Sequence, residues 1–253
     1  MKISAAIITF NEEKNIERCL TSLQGIADEI IVVDSFSTDK TEEICAKHNV
    51  IFKQNKFEGH IQQKNFAANL STNEYVLSLD ADEALSDDLK KSILELKSTS
   101  NPQPAYSFNR ITSYCGKWIK HCGWYPDRKV RLWKKEIGNW GGENPHDKII
   151  LNEGISAINL KGDLLHYSFE SIASHVQTAN NFSTIAAKAA VEKGKKVNVI
   201  VHMVLNPLYT FINKYFFKLG FLDGFYGFVI CYLSAVSNFL KYSKIRQINK
   251  YGN

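Results

Sequence analysis

The sequence predicts an α/β protein, a doubly wound sheet followed by a basic, apolar helical appendage. Three observations predict it. Residues 1–83 alternate between short apolar runs and segments of helical period. Polar residues gather at the carboxyl ends of those runs, the edge where ligands sit on such sheets. The last quarter of the chain is both apolar and rich in Lys and Arg.

The elements follow in order. Ile3 to Phe10 is a short apolar run, as a buried parallel strand should be. Asn11 can cap a helix, with Glu12 and Glu13 at its positive end. Ile16, Cys19, Leu20 and Leu23 then line one helical face. Glu29 to Asp34 is a second strand. Ser37, Thr38 and Asp39 open a helix to about His48, and Val50 to Lys53 is a short third strand. A helix from about His60 to Leu70 leads to a fourth strand, Tyr75 to Leu79. Residues 86–97 read as a surface helix, 105–170 as strands and loops that build a second site, and 171–193 as a helix.

The tail from Lys188 holds ten Lys or Arg against two acids, a net +8, while the whole chain carries +5. Residues 1–187 therefore carry −3. Basic and apolar together suggest a surface that meets anionic lipid. Val199 to Phe217 and Leu219 to Leu240 approach spanning length, but His202, Pro207, Lys214, Asp223 and Asn238 interrupt them. A helical hairpin lying on the membrane is the expectation. Gly220, Gly224 and Gly227 form a small-residue face that allows close helix contact. An oligomer, or an ordinary packed subdomain, fits the same pattern.

Composition excludes several classes. At 44% hydrophobic and 23% charged, the chain is neither disordered nor fibrous. Five cysteines without a C-x-x-C pair argue against a disulfide framework or a zinc site. No nucleic-acid-binding motif accompanies the basic tail, so no nucleic-acid partner is expected. The first apolar run lacks a small-residue cleavage site, so the body of the chain is expected to stay in the cytoplasm.

The sharpest local feature is Asp80-Ala81-Asp82 at the end of an apolar strand. In an extended segment both carboxylates point to one side. Held together they can share a divalent cation. Arg128 and Arg131 follow in YPDRKVRL, where alternation frees Arg131 to reach a phosphate; a surface salt bridge is the alternative. Trp118, Trp124, Trp133 and Trp140 cluster nearby, suited to sugar stacking or to an aromatic core.

The stretches ITFNEEKNIERCLTSL, EIIVVDSFSTDKT and QQKNFAANLSTNEYVLSLDADE resemble the N-terminal half of family 2 glycosyltransferases with the GT-A fold. WYPDRKVRLWKK, GGENPHDKI and LLHYSFES resemble the subgroup of lipopolysaccharide core β-glucosyltransferases. The resemblance implies a GT-A nucleotide-binding sheet and roles for particular residues. Thr9, Asn11 and Glu12 would line the nucleotide pocket, and Asp34 would accept a hydrogen bond from uracil. Phe36 stands where many relatives have Gly. Lys64 would face the nucleotide or its phosphates, Asp80 the ribose or a metal-bound water. Asp82 would ligate Mn²⁺ or Mg²⁺ between the phosphates, and His166 would stand near the metal or diphosphate. Capping for Asp34, a dipole partnership for Glu12, a solvated helix position for Lys64 and a core histidine at His166 are the alternatives.

An inverting transferase also needs a base for the acceptor hydroxyl. Glu143, His146 and Asp147 lie in GGENPHDK, which Gly141, Gly142 and Pro145 mark as a loop. Relatives commonly place an acid after a His here, so Asp147 is the first choice and Glu143 the second.

The expected organisation is a GT-A domain over 1–195, with a nucleotide half at 1–83 and an acceptor half at 105–170, and a helical hairpin over 196–253. The expected activity is metal-dependent hexosyl transfer from a UDP-sugar, UDP-glucose first, to a lipid-linked saccharide. Its place is peripheral, on the inner face of the plasma membrane. A polyprenyl-phosphate glycosyltransferase and an inactive sugar-nucleotide-binding scaffold are the rivals.

Overall fold

The computed structural model describes residues 1–143 and 146–252. These form two compact units: residues 1–111 with 127–167, and residues 112–126 with 168–253.

The first unit opens with the predicted alternation. Strand β1 (Ile3–Thr9) is followed by helix α1 (Ile16–Ser22), β2 (Glu29–Asp34), α2 (Thr41–Cys45), β3 (Ile51–Gln54), α3 (His60–Leu70) and β4 (Tyr75–Asp80). Next come β5 (Glu83–Leu85), α4 (Asp87–Ser98) and β6 (Ala105–Tyr114). Further along, β7 (Lys117–Ile119) belongs to the second unit. The first unit resumes with β8 (Asp127–Lys134), β9 (Gly138–Glu143), β10 (His146–Leu151) and most of β11 (Ile158–Phe169).

The sheet order is β3-β2-β1-β4-β8-β6-β11-β5. The first four strands are parallel, and β4 meets β8 antiparallel. This is the α/β architecture that the sequence predicts. Because β1 and β2 are covered on both faces, they read as unbroken apolar runs rather than alternations. Ile3, Ile7, Val32, Leu77 and Leu79 pack with Leu20 and Leu23 of the α1 segment on one face. Ala6, Ile31, Val33 and Val76 pack with Ala67 and Ala68 of α3 on the other. At Gly162 of β11, φ is +98° and a Cβ would stand 2.3 Å from the Leu89 nitrogen, so only glycine lets this strand pass the start of α4.

Two helix starts differ from expectation. Asn11 does not cap α1, which begins five residues later at Ile16. Instead Asn11 takes a left-handed φ of 53°, and its Oδ1 accepts from the Thr38 N–H at 2.8 Å. It staples two sheet-end loops together. Helix α2 is only Thr41–Cys45, because Asp39 folds back on the Thr41 N–H at 3.0 Å instead of opening a longer helix.

The second unit contains α5 (Ile172–Glu192), α6 (Asn206–Ile212) and α7 (Gly224–Tyr251), with π-helical turns at Val199–Leu205 and Asn213–Phe217. Both α5 and α6 pack on α7. Its core joins Tyr114, Ile119 and Cys122 to Ile230 and Cys231. Buried Asp223 accepts from the His121 N–H at 2.8 Å and stands 3.1 Å from His121 Nδ1. The small-residue face is used inside this unit: a Cβ on Gly227 would lie 1.9 Å from the Gly220 carbonyl oxygen. Among the described residues one stretch, Gly220–Tyr251, is long and apolar enough to cross a membrane.

Candidate active site

Two cavities of the first unit meet at Asp80. The first, about 610 Å³, lies beyond the carboxyl ends of β1 and β4 and is lined by Thr9, Glu12, Ser35, Phe57, His60, Asp80, Asp82 and His166 among others. Its volume falls in the usual range for small-ligand sites. The Thr9 hydroxyl is buried there with no hydrogen-bond partner among the described residues. A buried hydroxyl without a partner is a costly arrangement that a ligand oxygen relieves.

The sequence suggests an extended Asp80-Ala81-Asp82 segment, but the structure turns there instead. Strand β4 ends at Asp80, and the chain turns through Ala81 and Asp82 into β5. Glu83 closes this turn, its Oε2 accepting from the Asp80 N–H at 3.0 Å. The Ala81 N–H donates to the Ile8 carbonyl at 3.1 Å. Both aspartates nevertheless line the first cavity. The β5–β11 register pairs His166 with Glu83, which sets His166 Nε2 3.1 Å from Asp82 Oδ2.

Lys64 is not solvated. It is 4% exposed, on the inner face of α3 beside Gln63 and Ala67. Its Nζ stands 3.0 Å from Asp80 Oδ1 and 2.8 Å from Asp147 Oδ2. Trp140 lies beneath, its ring centre 4.3 Å from Nζ. One ammonium therefore joins the DxD turn to the first-choice base. Burial pushes the Asp80 carboxyl up, but the Lys64 and Arg131 charges outweigh it and hold the group well below the usual carboxylate range.

Arg131 is neither on the surface nor free. It is 3% exposed, with Nη2 2.8 Å from Glu83 Oε1 and 3.5 Å from Asp80 Oδ2. Its Nε and Nη1 have no hydrogen-bond partner among the described residues. Glu83, buried between Arg131 and Arg110, is the residue that sequence reasoning passed over. Its signal was its place in DADE, directly after the two aspartates.

The second cavity, about 550 Å³, is lined by Lys64, Asp80, Arg110, Arg128, Lys129, Arg131, Trp140, Asp147 and Lys148 among others. Asp147 lies in a strand rather than a loop, paired with Gly142 across the β9–β10 hairpin. The glycines that suggested a loop serve the hairpin instead. The side chains of Glu143 and His146 lie outside the described residues.

Asn11, Lys64, Arg131 and Asp147 stand outside the first cavity's wall, as does Asp34. The Asp34 carboxylate is fully buried and occupied by Ser37, accepting from its N–H at 2.9 Å and from its hydroxyl. Trp133 is core, while Trp140 is the tryptophan that faces the second cavity.

Sequence comparison gives this site a family. Residues 4–156 match the profile of glycosyl transferase family 2. A glycosyltransferase of Rickettsia typhi is 32% identical, the alignment covering 98% of this chain and 88% of that one. A lipopolysaccharide core biosynthesis glycosyltransferase of Rhizobium meliloti is 28% identical over 98% of this chain and 93% of its own length. Among solved structures, glucosyl-3-phosphoglycerate synthase of Mycobacterium tuberculosis, solved with Mn²⁺, UDP and glucosyl-3-phosphoglycerate, superposes with a TM-score of 0.47. It is 14% identical, over 78% of this chain and 81% of that one. With the family profile spanning β1 to β10 and the curled mixed sheet beneath it, the chain belongs to glycosyl transferase family 2.

Proposed function

We propose that the protein is an inverting, metal-dependent hexosyltransferase that uses a UDP-sugar, UDP-glucose first, and delivers the sugar to a lipid-linked saccharide such as a lipopolysaccharide core. The observation that carries this is the position of Asp80. It is the common wall of the two cavities and is joined through Lys64 to Asp147. The first cavity would hold the donor and the second the acceptor.

The donor set fits a hard divalent cation. Among the described residues no cluster of three His, Cys, Asp or Glu stands ready to enclose one. That suits Mg²⁺ or Mn²⁺, which such sites hold through one or two carboxylates with substrate phosphates completing the shell. Asp82 would be the principal ligand, with His166 beside it and Asp80 behind. The cation would offset the negative charge of the departing diphosphate.

The chain's own groups do the rest. Thr9 and Glu12 bound the donor pocket, and the orphaned Thr9 hydroxyl offers a hydrogen bond. Asp147 would take the proton of the attacking hydroxyl as its oxygen bonds to the anomeric carbon and the bond to the diphosphate breaks. Lys64 would hold that carboxylate in place. Glu143 remains the second choice for the base.

The second unit would seat the enzyme on the inner face of the plasma membrane. Ile200, Tyr209, Phe217 and Phe225 are each at least 65% exposed, on a segment that also carries Lys214 and Lys218. An apolar face with cations at the head-group level is the pattern of an interfacial helix.

A panel of UDP- and GDP-sugars, titrated with and without Mn²⁺, tests the donor assignment. Metal-dependent binding confined to UDP-sugars supports it. Equal affinity for GDP-sugars, or no dependence on the cation, overturns it.

A further inference from the structure

The second cavity holds more positive charge than a neutral sugar hydroxyl needs. Among the described residues, six cationic side chains line it against two carboxylates, Asp80 and Asp147. Glu83 and Asp127, just behind, ion-pair with Arg131, Arg110 and Lys129. Counting these too, two positive charges remain in excess among the described residues. Arg128 and Lys148 are exposed and have no carboxylate partner among the described residues. Arg131 is buried, yet two of its three nitrogens, Nε and Nη1, lack a partner there. Nε and Nη1 share no edge of the guanidinium, because the nitrogen beside each is Nη2, already held by Glu83, so each open N–H can give one charge-assisted hydrogen bond to a carboxylate or phosphate. A buried guanidinium N–H left open is expensive unless a ligand covers it.

We infer that the acceptor carries an anionic oxygen group, a phosphate ester or a sugar-acid carboxylate, separate from the hydroxyl that reacts. Arg131 binds this group through an open N–H, and Arg128 and Lys148 close over it from the cavity mouth. The inference rests on the second cavity being the acceptor site. It adds that acceptor choice is by charge: a neutral glycan of the same shape leaves the open N–H groups of Arg131 without an anionic partner and is rejected. The anion also fixes the register of the glycan, so that one hydroxyl is presented to Asp147.

The test is a titration of the full chain, with UDP and Mg²⁺ saturating so that the donor cavity is occupied. The probes are glucose 6-phosphate, glucuronate and glucose. At least one charged probe should bind roughly ten-fold tighter than glucose, the usual worth of a charge-assisted hydrogen bond. That advantage should shrink as salt is raised. Preference for glucose 6-phosphate identifies a phosphate, and preference for glucuronate a carboxylate. The Arg128→Ala/Lys148→Ala variant, changed only at exposed positions, should lose most of the advantage while UDP affinity stays within about two-fold. Arg131→Gln should lose it too if it folds. Equal affinity for charged and neutral probes overturns the inference. So does a parallel loss of UDP binding in the double variant, which would assign these cations to the donor. If UDP does not bind at all, the donor assignment fails by itself, and the same titrations without UDP still decide the anion site.

Discussion

The two units spend their unusual residues in opposite ways. The first buries charge: Asp34, Lys64, Glu83 and Arg131 are each 4% exposed or less. The second exposes apolar surface, with Phe217 at 75% and Phe225 at 68%. Both arrangements cost stability in water unless something compensates. In the first unit the compensation is internal, a chain of ion pairs running Asp147–Lys64–Asp80–Arg131–Glu83. In the second we propose that it is external, a lipid surface. The difference separates chemistry from anchoring, and variants in each unit should move different observables.

The largest effect is expected at Asp147. Asp147→Asn should lower turnover roughly 10²–10⁴-fold, the usual worth of a positioned proton acceptor, with UDP affinity near normal. Glu143→Gln should do less. Should Glu143→Gln be the inactive variant instead, the two roles are exchanged. If both variants turn over normally, the rival in which a phosphate is the nucleophile gains.

Lys64→Met comes next. It leaves two carboxylates facing one another without their shared cation, and removing one member of a buried pair costs about 3 kcal/mol. Denaturant unfolding should show that loss in the first unit. A variant as stable as the parent would mean that Asp80 and Asp147 are hydrated rather than bridged.

In the second unit, Phe217→Glu/Phe225→Glu should weaken binding to anionic vesicles at least ten-fold, since burying one such side chain is worth roughly 1.5–3 kcal/mol. Both positions are exposed, so folding and UDP affinity should be unchanged. Undiminished sedimentation with vesicles would remove this face as the anchor.

The smallest effect is a pH dependence in the second unit. Burial lowers the His175 imidazole to about 4, and its Nδ1 lies 3.0 Å from the Tyr114 hydroxyl. The unfolded chain binds this proton first, so stability is full above about pH 6.5 and falls as pH drops toward 4. The loss is at most about 3 kcal/mol. His175→Gln should flatten that part of the profile. An unchanged slope would mean that other groups carry it.

Much of the first unit could be read from the sequence, because its signals are local. Apolar runs gave β1, β2 and β4, and the strand-end carboxylates Asp80 and Asp82 with His166 do line one cavity. What escaped depends on partners distant in sequence. Helix α3 buries Gln63 and Lys64 together with Ala67 and Ala68, so it shows no apolar stripe, and its inner face reads as solvated. Lys64 becomes a bridge only when β10, 83 residues later, brings Asp147 to it. Glu83 was passed over, since nothing local announces Arg131 or Arg110 beside it. Asn11 was mistaken for a cap because its real acceptor role, toward Thr38, lies 27 residues away. The Gly220 and Gly227 pattern was legible as close contact, but not as contact between the first turn of α7 and the residues just before it.

The central claim is that the first cavity binds a nucleotide sugar through a cation held at Asp82. Its most direct test is the affinity of folded Asp82→Asn for UDP-glucose, measured by calorimetry with and without Mn²⁺. A carboxamide keeps the shape of the side chain but not the charge that holds the cation. Mn²⁺ should strengthen binding to the parent protein and have almost no effect on the variant. Equal Mn²⁺-dependent affinity in the two proteins would contradict it.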